Sequence, residues 1–216
     1  IISVTSGFGA SGRSELIRLA PKYKINIVAD EKYGPKDTDM TAQLTKIKGT
    51  SPQAIVNWSV GPTQVTVLRN YRDLGMTSIP FYQSHGFGSR KNIELAAGAA
   101  EGVFCPLGAC NIAELLPANN PQKKVTMQYM KNYMAKYNEP LSSFGGHAWD
   151  ALHMVVKALE NVGNDKAKIR DYLENHIKGF VGQHGIFTYS PDDHNGLTKD
   201  AFNMVVVKDG DWALAK

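Results

Sequence analysis

The pattern Gly7-x-Gly9-x-x-Gly12 carries the most direct chemical meaning in this chain. Glycines at that spacing, between a strand and a helix, let backbone amides approach an anionic or polar ligand, and the helix N-terminus adds a positive dipole end. Asp30 closes the following strand about eighteen residues later, where a dinucleotide-binding turn would place an acid on a ribose hydroxyl. Taken alone, the pattern describes an NAD-dependent oxidoreductase. Two details weigh against it: Glu31-Lys32-Tyr33-Gly34-Pro35 runs on without the usual substrate domain, and no catalytic Lys–Tyr or His–Asp arrangement follows. The same glycines serve equally as a tight strand-to-helix turn facing a ligand of another kind.

The remaining reactive side chains are sparse. His85 and His147 stand beside glycine-rich turns, but neither has a Ser or Cys in a nucleophile-elbow setting, so they read as hydrogen-bonding wall residues and not as triad bases. Cys105 and Cys110 lack the two further ligands a zinc site requires. They are either buried thiols or a short-loop disulfide of an oxidising compartment. Asp192-Asp193-His194-Asn195-Gly196 has the wrong residues around it for a calcium loop, since Pro191 and Phe202 would occupy its first and last ligand positions. It reads as a turn. The Met and Tyr stripe from Met127 to Tyr137 reads as packing.

The elements that must position these residues follow from periodicity. Short apolar runs at 1–5, 25–29, 54–57, 79–83 and 101–105 alternate with helical patterns at 13–23, 40–48, 62–74 and 92–97. Five strands with four crossover helices predict a doubly wound, parallel α/β sheet, whose ligands lie beyond the carboxyl ends of the strands. From Leu107 to Gln122 the chain turns irregular. Longer helices follow at 123–138, 147–161 and 166–176, with a connection over 139–146, and the chain closes on strands near 185–188 and 203–207. The helices between 123 and 176 have apolar faces that few strands in that region can cover, so either they wrap the first sheet or their sheet belongs to a segment outside this sequence.

The 216 residues, 43% hydrophobic and 20% charged, fit one large or two small globular domains. A net charge of +4 without a basic stripe argues against nucleic acid as a partner. No apolar run approaches the roughly 18 residues of a membrane span. The sequence opens inside a strand with neither Met nor leader, which reads as a mature, trimmed or fragment chain whose targeting is not encoded in view.

Several segments together resemble one family. Asp37-Thr38-Asp39-Met40-Thr41-Ala42-Gln43-Leu44-Thr45-Lys46-Ile47-Lys48, Leu68-Arg69 through Leu74-Gly75, Ala96-Ala97-Gly98-Ala99-Ala100-Glu101-Gly102-Val103 and Ala148-Trp149-Asp150-Ala151-Leu152 are similar to the leucine/isoleucine/valine-binding proteins. These are the type I periplasmic-binding solute receptors of ABC importers. The resemblance implies two α/β lobes with a ligand between them, closing by hinge motion, and a chain equivalent to the later three-fifths of such a receptor. It divides the chain into a second lobe of residues 1–104 and 185–216 and an incomplete first lobe of residues 105–184. It implies a small-molecule ligand, membrane subunits of an importer as partners, a periplasmic or extracytoplasmic location, no enzymatic activity, no cofactor and no metal. The resemblance implies that these helices leave an exposed apolar surface, and hence a domain-swapped or otherwise associated oligomer. A ligand-sensing regulatory domain of the same fold is a further reading.

The resemblance also nominates ligand-binding residues: Phe8 with Gly9 and Ala10 in the first turn, Trp58, Ser59 and Val60 after the third strand, Ser84 and His85 after the fourth, and Phe144 from the other lobe. His85 departs from the amino-acid receptors, which place a Glu against the ligand ammonium at this turn. A buried ammonium needs a carboxylate or several carbonyls in place of water. An imidazole suits an anion or a neutral acceptor instead. The expected ligand is thus an apolar or aromatic carboxylate, ahead of a branched-chain amino acid.

Overall fold

Strand–helix alternation builds a sheet only if each helix finds an apolar face to cover, and in the first half of this chain each does. The computed structural model describes every residue except Pro140, Ser142 and Lys216. Two compact units result, Ile1–Pro106 with Met204–Lys216, and Leu107–Asn203. In the first, β1 (Ile2–Val4), α1 (Gly7–Leu19), β2 (Glu31–Tyr33), α2 (Thr41–Gly49), β3 (Ile55–Trp58), α3 (Thr63–Asp73), β4 (Phe81–Gln83), α4 (Arg90–Ala96) and β5 (Phe104–Gly108) succeed one another as expected. Pairings β1–β2, β1–β3, β3–β4 and β4–β5 are all parallel. The core is made of Ile2, Val4, Leu44, Ile47, Ile55, Leu68, Met76 and Phe81, all buried. The α/β doubly wound, parallel sheet expected of the sequence is the one observed.

The boundaries moved where tertiary geometry overruled pattern. α1 starts at Gly7, so the glycine turn is the opening of the helix and not a loop ahead of it. Ser6 caps it, its Oγ accepting from the Gly9 amide at 3.3 Å. The strand expected at 25–29 is displaced to 31–33, and Ile25 and Val28 are 61% and 47% exposed. β1 contributes only Ile2–Val4, in register with Glu31–Tyr33, so the ladder ends before it reaches 25–29. The fifth strand begins three residues later than expected, at Phe104.

In the second unit, α5 (Lys123–Tyr137), α6 (Ser143–Val162) and α7 (Lys166–His176) precede a two-stranded antiparallel hairpin of β6 (Lys178–Val181) and β7 (Ile186–Thr188). α6 begins four residues earlier than its pattern suggested, so the expected connection over 139–146 is short; its Pro140 and Ser142 lie outside the described residues. Met154, Ile177 and Phe187 form a small core. The chain then supplies β8 (Phe202–Lys208) and β9 (Asp211–Leu214), which complete a seven-stranded sheet in the order β2-β1-β3-β4-β5-β8-β9. The β8–β9 pair is antiparallel. Its turn uses Asp209 and Gly210, both at positive φ.

Candidate functional site

In the sheet order, β1 is followed in sequence by β2 on one side and then by β3 on the other. That reversal opens a crevice beyond the carboxyl ends of β1 and β3, the place where doubly wound sheets bind ligands. Three rings converge there. Phe8 rides the first turn of α1, Trp58 ends β3, and His85 opens the short 3-10 turn after β4. Phe8 and Trp58 have centroids 6.0 Å apart, and His85 stands edge-on to both, at 5.3 Å and 73° from Phe8 and 5.9 Å and 81° from Trp58. Edge-to-face geometry suits the ring quadrupoles. All three are half-buried, so the cluster is an aromatic surface with one polar ring and not a closed core.

The glycines explain how α1 comes so close. A side chain at Gly9 would collide with the Val4 carbonyl, and one at Gly12 with the Trp58 indole. The spacing that resembles a dinucleotide turn is thereby used to seat an indole against the helix. Asp30 is also engaged: its carboxylate accepts from Arg13 Nε at 2.7 and 2.9 Å, and Arg13 Nη2 adds a further contact. The Arg13 guanidinium holds the Asp30 carboxyl below the usual carboxylate range. The acid required for a ribose hydroxyl is thus spoken for.

Beneath the rings the two ligand-facing turns are tied together. The Ser59 amide donates to Ser84 Oγ at 3.2 Å while Ser84 Oγ donates to the Ser59 carbonyl at 2.7 Å. Gln64 Nε2, from α3, donates to the Gly61 carbonyl at 3.0 Å and the Gly86 carbonyl at 3.2 Å. A polar ladder crosses the strands alongside: Tyr33 Oη donates to Asn57 Oδ1 at 3.1 Å, and Asn57 Nδ2 to Gln83 Oε1 at 2.9 Å. Burial pushes the Tyr33 phenol up, with Ser59, Asn57 and Thr63 opposing it. Sequence reading missed Gln64, Gln83, Asn57 and Tyr33. For Asn57 and Gln83 the available signal was a polar side chain at the end of an apolar strand run, as in Ala54-Ile55-Val56-Asn57.

Residues 1–211 match the family model for periplasmic binding proteins. The chain belongs to the periplasmic binding protein family. Similar solved structures include an extracellular ligand-binding receptor from Rhodopseudomonas palustris HaA2, at 28% identity and TM-score 0.90, covering 99% of this chain and 61% of that one. A putative branched-chain amino acid ABC transporter protein from Rhodospirillum rubrum aligns at 22% identity and TM-score 0.78, over 99% of this chain and 59% of that one. One from Thermus thermophilus with bound valine aligns at 18% identity and TM-score 0.76, over 100% of this chain and 58% of that one. The last two share the fold. This periplasmic binding protein chain therefore spans about three-fifths of the length of its structural relatives. No curated protein matches it in sequence. No helix among the described residues is long and apolar enough to cross a membrane.

Of the residues nominated from sequence, the binding protein's first unit brings together Phe8, Gly9, Trp58, Ser59, Ser84 and His85, with Val60 beside Gly86. Ala10 faces instead a small cavity of ≈ 180 Å³ with Ser3, Arg13 and Lys32. Phe144 lies in the second unit, on the first turn of α6, and is 68% exposed. A larger groove of ≈ 520 Å³ in that unit is lined by Ile169, Leu173, Tyr189 and charged neighbours, none of them nominated.

The two cysteines are free and buried. Burial pushes both thiols up, Cys110 to about 12, which removes them from nucleophilic chemistry. Cys110 Sγ lies 3.3 Å from His184 Nε2, a nitrogen that also meets the Ser143 carbonyl at 2.8 Å. His147 stacks on His184 at 3.6 Å. The buried Asp150 carboxylate accepts the Gln183 and His184 amides at 2.6 and 3.1 Å, so it organises the turn before β7.

Proposed function

We propose that this chain is the ligand-holding part of a non-enzymatic, extracytoplasmic solute receptor that delivers its ligand to the membrane subunits of an ABC importer. Its ligand is a small apolar or aromatic carboxylate, held against Phe8, Trp58 and His85 with Gly9, Ser59, Val60 and Ser84 around it. The observation that carries this reading is the ring cluster at the sheet's switch point with an imidazole, and not a carboxylate, as its polar member. Two aromatic rings offer a planar ligand stacking area, and His85 offers a donor to its carboxylate. Branched-chain amino acids are the second reading, since structural relatives of that description share the fold.

Calorimetric titration of the receptor with benzoate, 4-hydroxybenzoate and leucine separates these readings. Benzoate-type acids binding more tightly than leucine is the expected result. Tight leucine binding with no affinity for aromatic acids overturns the ligand preference. A rise in melting temperature with NAD alone would overturn the receptor reading itself.

A further inference from the structure

The Trp58 and His85 rings stand just past the last rung between β3 and β4, where the Ser84 amide donates to the Asn57 carbonyl at 2.9 Å. Their separation is set by two turns, 59–61 and 84–86, that leave adjacent strands. Gln64, from outside the sheet, touches both. It is fully buried at the start of α3, and its amide nitrogen splits its two protons between the Gly61 and Gly86 carbonyls. Gly61 has φ +96, and Gly86 has no room for a side chain beside the Ser59 carbonyl, so neither turn shifts without disturbing the other.

The cost side of this arrangement points the same way. Gln64 Oε1 is buried without a hydrogen-bond partner. An unmet buried acceptor costs about 1–3 kcal/mol, and an apolar residue of the same length would avoid it. What an apolar residue does not supply is a pair of donors at a fixed spacing. We propose that Gln64 is a positioning residue that sets the Trp58–His85 contact by bracketing the two ligand turns, with Ser84 as a second, parallel bracket. Gln64 does not touch the ligand itself; it fixes the angle between the indole and the imidazole. The proposal rests on the reading of this ring surface as the ligand site.

The test uses the three tryptophans as internal reporters by nitrogen–proton NMR of the 216-residue chain. Trp58 is assigned by its loss in Trp58→Phe, and the shift produced by losing the imidazole is calibrated in His85→Ala. Gln64→Met keeps the length and removes both donors. The expected result is that the Trp58 indole resonance moves toward its His85→Ala position while Trp149 and Trp212 stay in place. Affinity for whichever of benzoate or leucine the native chain binds should then fall about tenfold, the size expected from displacing one contact group. An unmoved Trp58 resonance overturns the proposal, as does an equal displacement of all three indoles, which would mark a general structural role. Should Gln64→Met not fold, Ser84→Ala decides: a smaller shift of Trp58 alone supports the bracket, and no shift overturns it. If neither probe binds the native chain, the ligand reading fails while the indole shifts still decide the role of Gln64.

Discussion

α3 in the first unit and α6 in the second are both amphipathic helices, but they meet different surfaces. On α3, Val65, Val67, Leu68 and Tyr71 are all buried, with the parallel sheet to cover them. On α6 the buried stripe is Gly146, Asp150, Met154 and Ala158, four residues apart, while Leu152, Val155, Val156 and Leu159 remain exposed. The second unit has a two-stranded hairpin where the first has a full sheet. Helix propensity and periodicity are alike in the two cases. The difference lies in how much apolar surface each helix is offered, which makes burial a property of the neighbour and not of the helix.

The widest test of that contrast pairs Leu68 with Leu152. Leu68 has no exposed area, so Leu68→Ala should cost about 2–5 kcal/mol in urea unfolding. Leu152 is 60% exposed, and Leu152→Ala should change stability by less than about 0.5 kcal/mol. A Leu152→Ala cost comparable to that of Leu68→Ala would mean the α6 face is covered in solution. If a second copy covers it, the midpoint of native unfolding will rise with protein concentration.

A second contrast concerns titration. In the second unit, burial pushes the Asp150 carboxyl up to about 6, despite its two amide donors and a nearby His153. A carboxyl whose folded value is raised binds its proton more tightly folded than unfolded, so its contribution to stability declines as pH rises between about 4 and 6. The first unit has the opposite case in Asp30, whose lowered value contributes stability above the ordinary carboxylate range and loses it as pH falls. Trp149, on α6, reports the second unit by fluorescence. Its urea midpoint should drop from pH 4.5 to pH 7, with Asp150 responsible for a loss on the order of 1–3 kcal/mol. Asp150→Asn should flatten that slope; an unchanged slope in the variant would assign it to other groups.

Gly12 offers a test confined to the first unit. Gly12→Ala forces a methyl group into the Trp58 indole, and overpacking of this kind costs about 1–3 kcal/mol. The rings should separate while the sheet stays intact, seen as a displaced Trp58 indole resonance with unchanged far-ultraviolet circular dichroism. Benzoate affinity that survives this displacement undiminished would remove Trp58 from the ligand surface.

What was readable in advance follows the same division. The order of strands and helices through residue 108 was legible because the apolar runs there, that at 25–29 excepted, end up buried by their neighbours. The strand at 25–29 was misplaced because Ile25, Ile27 and Val28 have the strand pattern but no paired partner, and pairing depends on register, which a single segment does not encode. The exposed face of α6 was an expectation of the family resemblance, since a count of strands against helices left open whether those helices wrap the first sheet. Phe8, Trp58 and His85 were nominated through the family resemblance as turn residues, whereas Phe8 lies in α1 and Trp58 in β3. Gln64 was not, since nothing in Pro62-Thr63-Gln64-Val65 distinguishes a glutamine that reaches two carbonyls in space from one that faces solvent.

The smallest expected effect compares two ion pairs. Arg13 and Asp30 join α1 to the approach of β2, with side chains 27% and 26% exposed and a two-pronged contact. Arg170 and Glu174 lie one turn apart on α7 with the arginine 72% exposed, and His194 shares the same carboxylate. Local pairs within one helix hold together elements that are already adjacent, whereas Arg13–Asp30 restrains residues 17 apart in sequence. A double-mutant cycle on Arg13→Ala and Asp30→Ala should give a coupling near the upper end for partly exposed pairs, about 1 kcal/mol. It should shrink on raising salt from about 0.1 to 1 M, as screening shortens the reach of exposed charges. The α7 cycle should give less and depend more steeply on salt. Equal couplings in the two cycles would show that sequence separation adds nothing here, and that the loop from Lys24 to Asp30 is fixed by its backbone bonds, among them the Ile1 amino group to the Ala29 carbonyl at 2.8 Å.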